Sequence, residues 1–486
     1  MNIIKTDRQY KDLMKPGSFI GSTLTASGIK NALIVFHGIS GCNIEATHFR
    51  SDQIPGGSYV PVIPTGLNEA DCIQGGNEKL LSTLRTSINQ AIARSKTPEI
   101  VFILTSDATS IVGDDIKTAA KVVEEETGVK IIALDTPGFA GGLVHGTDLV
   151  LSELLNKCHS ELDSESIQCS KLSSNTVKML KQVQHDNQRE NIIQAQNSVN
   201  LIAPHLIGSK NWTNDTDEII RLLQGAGVQV NLNLCRNFDL KDIDGFAEAK
   251  FNYVLSSEKL RTFEKTCSDL NSEIIRENLP LPVGIANTEE WLLWFAKNHG
   301  NIELAKEFLV KDQKFIQKQL RFNYNFSWMS TLMYGKRCGI LANAKFGASL
   351  ARCLLWDFGI VPKVIGLIAE TDRAEEEAVE LLKEIENQAE FTVLINPSYF
   401  DYGNYLKKAE VDFSIGSIQD KPLCIGHKIP HLSLSGFNFF NQYNFIPWPS
   451  FGIRGVLGLM TELSIVLEEA FYLKNMIYSN NYESFE

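Results

Sequence analysis

The 486-residue sequence has no CxxC pair, and its nine cysteines come no closer together than Cys158 and Cys169. Zinc-ribbon and thioredoxin-like readings fail on that spacing. An odd count also rules out a complete internal disulfide set. The opening residues lack a charged segment followed by an apolar one, so no secretory signal is read there. The expectation is a reducing, cytoplasmic setting in which cysteines fill cores or act singly as ligands. No run of 18 or more uncharged apolar residues occurs, which excludes a membrane-spanning helix. Positive charge is in short supply: 46 Lys and Arg stand against 58 Asp and Glu, a net charge of −12. That balance argues against a nucleic-acid partner. Phosphate signatures are missing too. With no GxxxxGK(S/T) and no GxGxxG after a strand, ATP and NAD are not expected ligands of this chain alone. Neither HExxH nor a GxSxG elbow occurs, so hydrolase templates lack support.

What is present suits a large globular chain. Hydrophobic residues at 43% and charged residues at 21% can bury several cores, and the length suggests about three domains. Short apolar runs alternate with helix-period segments. Ala32–Phe36, Glu99–Leu104 and Lys130–Leu134 read as strands, with helices between them over 77–96 and 114–128. Asp114 and Asp115 stand where a helix start favours negative charge. The rhythm restarts at Val199–Ala203, followed by a helix near Asp217–Leu223 and strands at Val228–Leu232 and Asn252–Leu255. It restarts again at Arg337–Ala342, with a helix over 345–358 stopped by Gly359 as a C′ glycine. A strand at Val364–Ile368, an amphipathic helix over 370–387 and a closing helix over 455–474 follow. Runs apolar on both faces point to parallel sheets covered by helices. The expected fold is α/β, with three doubly wound (Rossmann-like) domains at 1–156, 192–332 and 333–486.

Residues 157–191 break the pattern. They hold six serines and no aromatic residue, glycine or proline. That composition does not form a core element, so the stretch is expected to be an inserted, disordered surface loop in which Cys158, Cys169 and His185 are idle.

The chemistry-bearing feature is a set of glycine-punctuated loops at the carboxyl ends of predicted strands, where α/β sheets place ligands. In order they read HGISGC (37–42), EADCIQGGNEKL (69–80), TSDATSIVGDD (105–115) and TPGFAGG (136–142). Cys42, on a loop of open backbone, has the setting of a thiolate ligand; a buried thiol in a tight turn is the alternative. In this order and spacing the four loops resemble the first domain of the nitrogenase component 1 family, with its HGxxGC, ExxxxxGGxxxL, IGDD and TPxFxG motifs. The stretch 428–455 (KIPHLSLSGFNFFNQYNFIPWPSFGIRG) is similar to the C-terminal pattern of the β-type subunit. The likeness spans nearly the whole chain except 157–191.

In that family each subunit offers cysteines from three of these places to an Fe–S cluster at the subunit interface. Here Cys42 keeps one. Asp107 stands where the cysteine ahead of IGDD belongs, Gly17 marks the first cysteine position, and Gly142 replaces a serine used by some β subunits. The eight-iron double cluster is therefore not expected. A carboxylate can replace thiolate on iron, as in the related dark protochlorophyllide reductases, so the resemblance implies a 4Fe-4S cluster with Cys42 and Asp107 as metal ligands. Either an α-type subunit supplies three cysteines and this chain one ligand, the preferred arrangement, or a second copy of this chain supplies Cys42 and Asp107 again, giving two sulfur and two oxygen ligands. Absence of any cluster is the third possibility. The family's molybdenum–iron cofactor is held by a Cys and a His in the α-type subunit. The matching stretch here, Asn252–Ser257, offers serine, and His431 is read as structural, which agrees with a β-type role. Cys72, Cys338, Cys353 and Cys424 are read as core, and Phe437–Trp448 as interface packing. The resemblance implies a subunit relaying electrons from an ATP-dependent iron protein with its own 4Fe-4S cluster. The other readings are a scaffold for metal-cofactor assembly or a cluster-free structural subunit.

Overall fold

A computed structural model of the protein describes residues 1–5, 16–39, 41, 60–169, 197–322, 332–436 and 448–474. Cys42, His185 and residues 437–447 of the aromatic segment lie outside the described residues. The strands, in chain order, are β1 (Asn2–Lys5), β2 (Ala32–His37), β3 (Val62–Pro64), β4 (Ile100–Thr105), β5 (Lys130–Leu134), β6 (Ser198–Ile202), β7 (Gln229–Asn233), β8 (Phe251–Val254), β9 (Glu273–Ile274), β10 (Arg337–Asn343), β11 (Val361–Ile368), β12 (Thr392–Ile395), β13 (Phe413–Gly416) and β14 (His431–Ser433). They form three sheets, ordered β3-β2-β4-β5, β7-β6-β8-β9 and β1-β12-β11-β10-β13-β14, and every pairing is parallel. The α/β architecture expected from the alternation is thus observed. Every residue of β2 and β4 is buried, as strands covered on both faces must be.

The helices explain the rest of the layering. The helix Ile116–Thr127 places Ile116, Ala119, Ala120 and Val123 on its buried face and ends on Gly128 in the left-handed conformation. Ala344–Phe358 ends likewise on Gly359, at φ +67°. The three units are fused rather than beaded. Residues of the second and third sheets share one apolar core, and the first core takes in Leu232, Val254 and Phe263 from the second unit. Helices Ser18–Ser27 and Leu143–Cys169 pack closely enough that a Cβ on Gly146 would stand 2.0 Å from the Ser18 carbonyl oxygen. Two features differ from the sequence expectation. Strand β1 joins the third sheet by pairing with β12, so the first residues of the chain serve the last unit. The helix begun at Leu143 runs through Lys157 and Cys158 to Cys169, with Cys158 buried in the first core, so the break expected at 157 falls inside a helix. Lys157 is itself tied to Glu124 at 2.7 Å.

Several helix starts lack a local side-chain cap and are instead met by a carboxylate from far along the chain. Asp148 accepts from the backbone N–H groups of Thr262 and Phe263, and Glu370 from those of Leu143 and Val144. Asp357 does the same for Ile285 and Ala286, and Glu258 for Glu370 and Thr371. Asp215 accepts from Ser450 and Phe451, just ahead of the helix Gly452–Lys474. These contacts satisfy orphan donors and place negative charge at the positive end of the helix dipole.

Asp215 gives a pH test. Full burial, opposed by its hydrogen bonds from Ser209, Ser450 and Phe451, pushes its pKa up from 3.8 to about 7. The folded state therefore takes up this proton before the unfolded state does as the pH falls. The group's contribution to stability is complete below pH 4 and is lost as the pH rises towards 7. In urea titrations from pH 4 to 7.5, Asp215→Asn should remove this trend. Its stability relative to the parent protein should rise with pH, by at most about 4 kcal/mol. Parallel pH profiles for the two proteins would refute the assignment.

Candidate functional site

The first sheet changes direction between β2 and β4, and the loops that follow these two strands face the crevice at their carboxyl ends. His37 closes β2 with its side chain wholly buried. Its Nε2 lies 2.9 Å from Asp114 Oδ2, and its Nδ1 lies 3.2 Å from Thr65 Oγ1. Burial holds the imidazole below its ordinary pKa of 6.5, against the pull of Asp114. A neutral ring donating from Nε2 to Asp114 and accepting from Thr65 at Nδ1 satisfies every partner. Asp114 also accepts from Gly76 N, at 2.9 and 3.0 Å to its two oxygens. Three motifs far apart in sequence, HG, GG and GDD, thus meet on one buried pair.

Glycine is required where these loops touch. A Cβ on Gly38 would stand 2.7 Å from Ser106 Cβ, and one on Gly76 would stand 2.8 Å from His37 Cε1. Beside them, the helix Asp107–Val112 starts with a capping box: Thr109 N donates to Ser106 Oγ and Ser106 N to Thr109 Oγ1. Thr109 Oγ1 also donates to the His37 carbonyl, binding the β2 and β4 loops together. The two acids read as one helix-start pair divide their work. Asp115 caps Ile116–Thr127 through Thr118 N, whereas Asp114 serves His37 and Gly76.

Asp107 occupies the first turn of its helix with an exposed side chain. Its Oδ1 accepts from Gly138 N at 2.5 Å, and Oδ2 has no hydrogen-bond partner among the described residues. Gly17 lies against the same place, since a Cβ on it would stand 3.2 Å from Gly138 Cα, and Gly17 bridges to Gly142. The positions singled out in the sequence at 17, 107 and 138–142 therefore share one rim. Cys42, the remaining member, is outside the described residues. Gly142 has no room for a side chain. A Cβ there would lie 2.3 Å from Glu370 Oε2, the carboxylate that caps the Leu143 helix.

Cys72 departs from expectation. It is partly exposed on the short helix Glu69–Gln74, which buries none of its residues and is held by the Asn68–Asp71 capping box. The other core assignments hold, with Cys338, Cys353 and Cys424 fully buried. Burial pushes the Cys424 thiol up to about 12. His431 Nε2 lies 2.9 Å from the buried Asp420, and Cys424 completes a group whose ligand atoms all lie within 4.8 Å of one another.

One feature of the rim was not anticipated. Ile39, Ile73, Ile111 and Phe139, one from each loop, are exposed, Ile73 to 83% and Phe139 to 67%. Large apolar side chains left in water on each of the motif loops mark an interaction surface. The signal was present as large apolar residues set inside polar, glycine-rich motifs, Ile111 and Val112 side by side in one of them. Among the described residues no helix is long and apolar enough to cross a membrane.

Comparison with known proteins places the chain as a whole. Residues 18–468 match the family described as "Nitrogenase component 1 type Oxidoreductase". The chain is 23% identical over 490 residues to the nitrogenase molybdenum-iron protein beta chain of Methanococcus maripaludis, covering 93% of each. It is 19% identical over 415 residues to the nitrogenase iron-molybdenum cofactor biosynthesis protein NifE of Clostridium pasteurianum, covering 83% of this chain and 78% of that one. The solved structure "Nitrogenase Cp1 at pH 6.5" shares the fold, with a TM-score of 0.69 at 17% identity over 96% of this chain and 95% of that one.

The buried pair sets the stability of the site. Asp114→Ala would leave His37 Nε2 and Gly76 N without their acceptor in a dry setting. It should cost about 2–4 kcal/mol in urea unfolding. A cost below about 0.5 kcal/mol would show that the loops do not depend on it.

Proposed function

The chain belongs to the nitrogenase component 1 type oxidoreductase family, and on that footing we propose that it is the β-type half of a nitrogenase-like reductase. In this reading it pairs with an α-type subunit and takes electrons from an ATP-dependent iron protein carrying its own 4Fe-4S cluster. The electrons pass through a 4Fe-4S cluster at the subunit interface to a substrate or cofactor site on the partner. The observation that carries the reading is the rim shared by Gly17, Asp107 and the 138–142 loop, with exposed apolar side chains on the neighbouring motif loops.

The donor set fits such a cluster only in part. Asp107 presents one carboxylate oxygen with no partner among the described residues, and Cys42 supplies one thiolate in sequence. Two donors do not hold four irons, so the fit requires a second chain, as the apolar rim does. When bound, the cluster would supply one-electron transfer. The chain's own part is to aim Asp107 through the Gly138 N–H and to exclude water with Ile73, Ile111 and Phe139. A second reading, a scaffold for metal-cofactor assembly, is favoured by the likeness to the cofactor biosynthesis protein over 83% of the chain.

Anaerobic co-purification with an α-type partner, followed by iron, acid-labile sulfide and electron paramagnetic resonance measurements, tests the proposal. The parent complex should carry about four irons per interface, and Cys42→Ala or Asp107→Ala should lower this below about one. Unchanged iron and sulfide in both variants would remove the ligand assignment, and no iron in the parent complex would leave a cluster-free subunit. Substrate reduction that requires iron protein and ATP supports the relay. Transfer of a metal cofactor to another apoprotein, without such turnover, supports the scaffold.

A further inference from the structure

Away from the rim, at the outer edge of the third sheet, Asp420, Cys424 and His431 bring their side chains to one buried point. A carboxylate oxygen, a thiol sulfur and an imidazole nitrogen there all lie within 4.8 Å of one another. The local fold explains the meeting. Asp420 precedes the short helix Lys421–Gly426, so Cys424 lies one helical turn beyond it on the same side. The chain then returns as β14, whose first residue, His431, pairs with Ser414 of β13. Gly416 of β13 makes room for the carboxylate, since a Cβ there would stand 2.1 Å from Asp420 Oδ2.

The groups around these three hold them as metal ligands are held. Asp420 Oδ1 accepts from Ser417 N at 2.6 Å and from Ser417 Oγ at 2.9 Å, which fixes the carboxylate and leaves Oδ2 facing His431. Ser433 Oγ lies 3.4 Å from His431 Nδ1, a partner for a proton on the far side of the ring. Ser414 Oγ, 2.8 Å from Tyr402 Oη, also hydrogen-bonds the Cys424 sulfur. The anomaly is the carboxylate. Asp420 is wholly buried, and among the described residues no Lys or Arg pairs with it. Beside a neutral imidazole its charge is unmatched in a dry setting, which is costly.

We propose that Asp420, Cys424 and His431 bind a zinc ion. One carboxylate and one thiolate cancel the charge of a divalent ion, so the dry site holds a neutral assembly in place of an unmatched anion. Binding releases the Cys424 proton to solvent. The imidazole stays neutral, its proton carried on Nδ1 towards Ser433 and its Nε2 lone pair free for the metal. Tetrahedral zinc, with bonds of about 2.0–2.3 Å, keeps its ligand atoms about 3–4 Å apart. The 2.9 Å Asp420–His431 contact and the 4.8 Å span of the group bracket that separation. A mixed sulfur, nitrogen and oxygen set selects zinc over magnesium or calcium. So enclosed an ion is structural, pinning the edge strand β14 to the helix before it. None of the three residues lies on the motif loops of the rim, and the ion is independent of the interfacial cluster.

The test uses the full chain carrying Cys42→Ala and Cys72→Ala, which removes the two thiols of the motif loops. Produced with zinc in the medium and dialysed against a chelator, this protein should retain about one zinc per chain by mass spectrometry of the metal. X-ray absorption at the zinc edge should show a single sulfur at about 2.3 Å and nitrogen or oxygen neighbours at about 2.0 Å. Adding Cys424→Ala or His431→Gln should lower the retained zinc at least about fivefold. Retention of less than about 0.2 zinc per chain before these changes, or unaltered retention after both, would overturn the proposal. If neither variant folds, the absorption spectrum decides alone: one sulfur on the zinc supports the site, and none, or two or more, overturns it.

Discussion

A histidine and an aspartate 2.9 Å apart, both shielded from water, hold the first unit's functional end together. The pair works because it is completed. Thr65 meets the far nitrogen of His37, and Gly76 N meets the carboxylate of Asp114. In a dry setting an unmet donor or charge costs more than a made contact gains, so each partner is locked by the others. The glycines of the HG and GG motifs follow from this. The backbones at Gly38 and Gly76 come so close to Ser106 and His37 that no Cβ fits. The loops aiming Asp107 at the rim thus derive their register from a hydrogen-bond centre that is out of solvent.

The same economy of charge runs through the whole chain. An excess of acidic residues would ordinarily be spread over the surface, where it does little for stability. Here Asp148, Asp215, Glu258, Asp357 and Glu370 leave the surface to satisfy backbone N–H groups at or beside helix starts in other parts of the sequence. Each contact crosses between elements that a local pattern would not connect. Glu370 reaches from the end of β11 to the Leu143 helix and, through its own backbone, is gripped by Glu258. The three units are joined by such links as well as by shared apolar cores, which explains why the candidate rim and the third unit are mechanically close.

What the sequence disclosed follows from the range of each signal. Buried parallel strands and amphipathic helices are written locally, so β2, β4, β5, β10 and the helix ending at Gly359 could be read directly. β1 could not, because Asn2–Lys5 is four residues long and finds its partner, β12, some 390 residues away. Composition misplaced the break at 157. The serine-rich stretch looked unstructured, but the helix from Leu143 had already committed Cys158 to the core. The two aspartates of the GDD motif illustrate the limit most sharply. Both sit before a helix start, and the local rule for caps is obeyed by Asp115 alone. Asp114 answers to His37, 77 residues earlier, and only the fold reveals that.

The rim poses a physical problem that bears on how the proposed cluster would be held. Ile73, Ile111 and Phe139 stand exposed on the motif segments of the rim, so the proposed site is finished only when another surface covers and dries it. A carboxylate such as Asp107 is a hard donor that competes poorly with thiolate for iron in water. Once a partner excludes water, the same group gains from the low dielectric and from the fixed geometry imposed by Gly138 N. In the proposed role, a chain with so few thiolates at these loops would place its demand on the partner's surface as much as on the partner's ligands. The apolar rim is the part of that demand visible in this subunit alone.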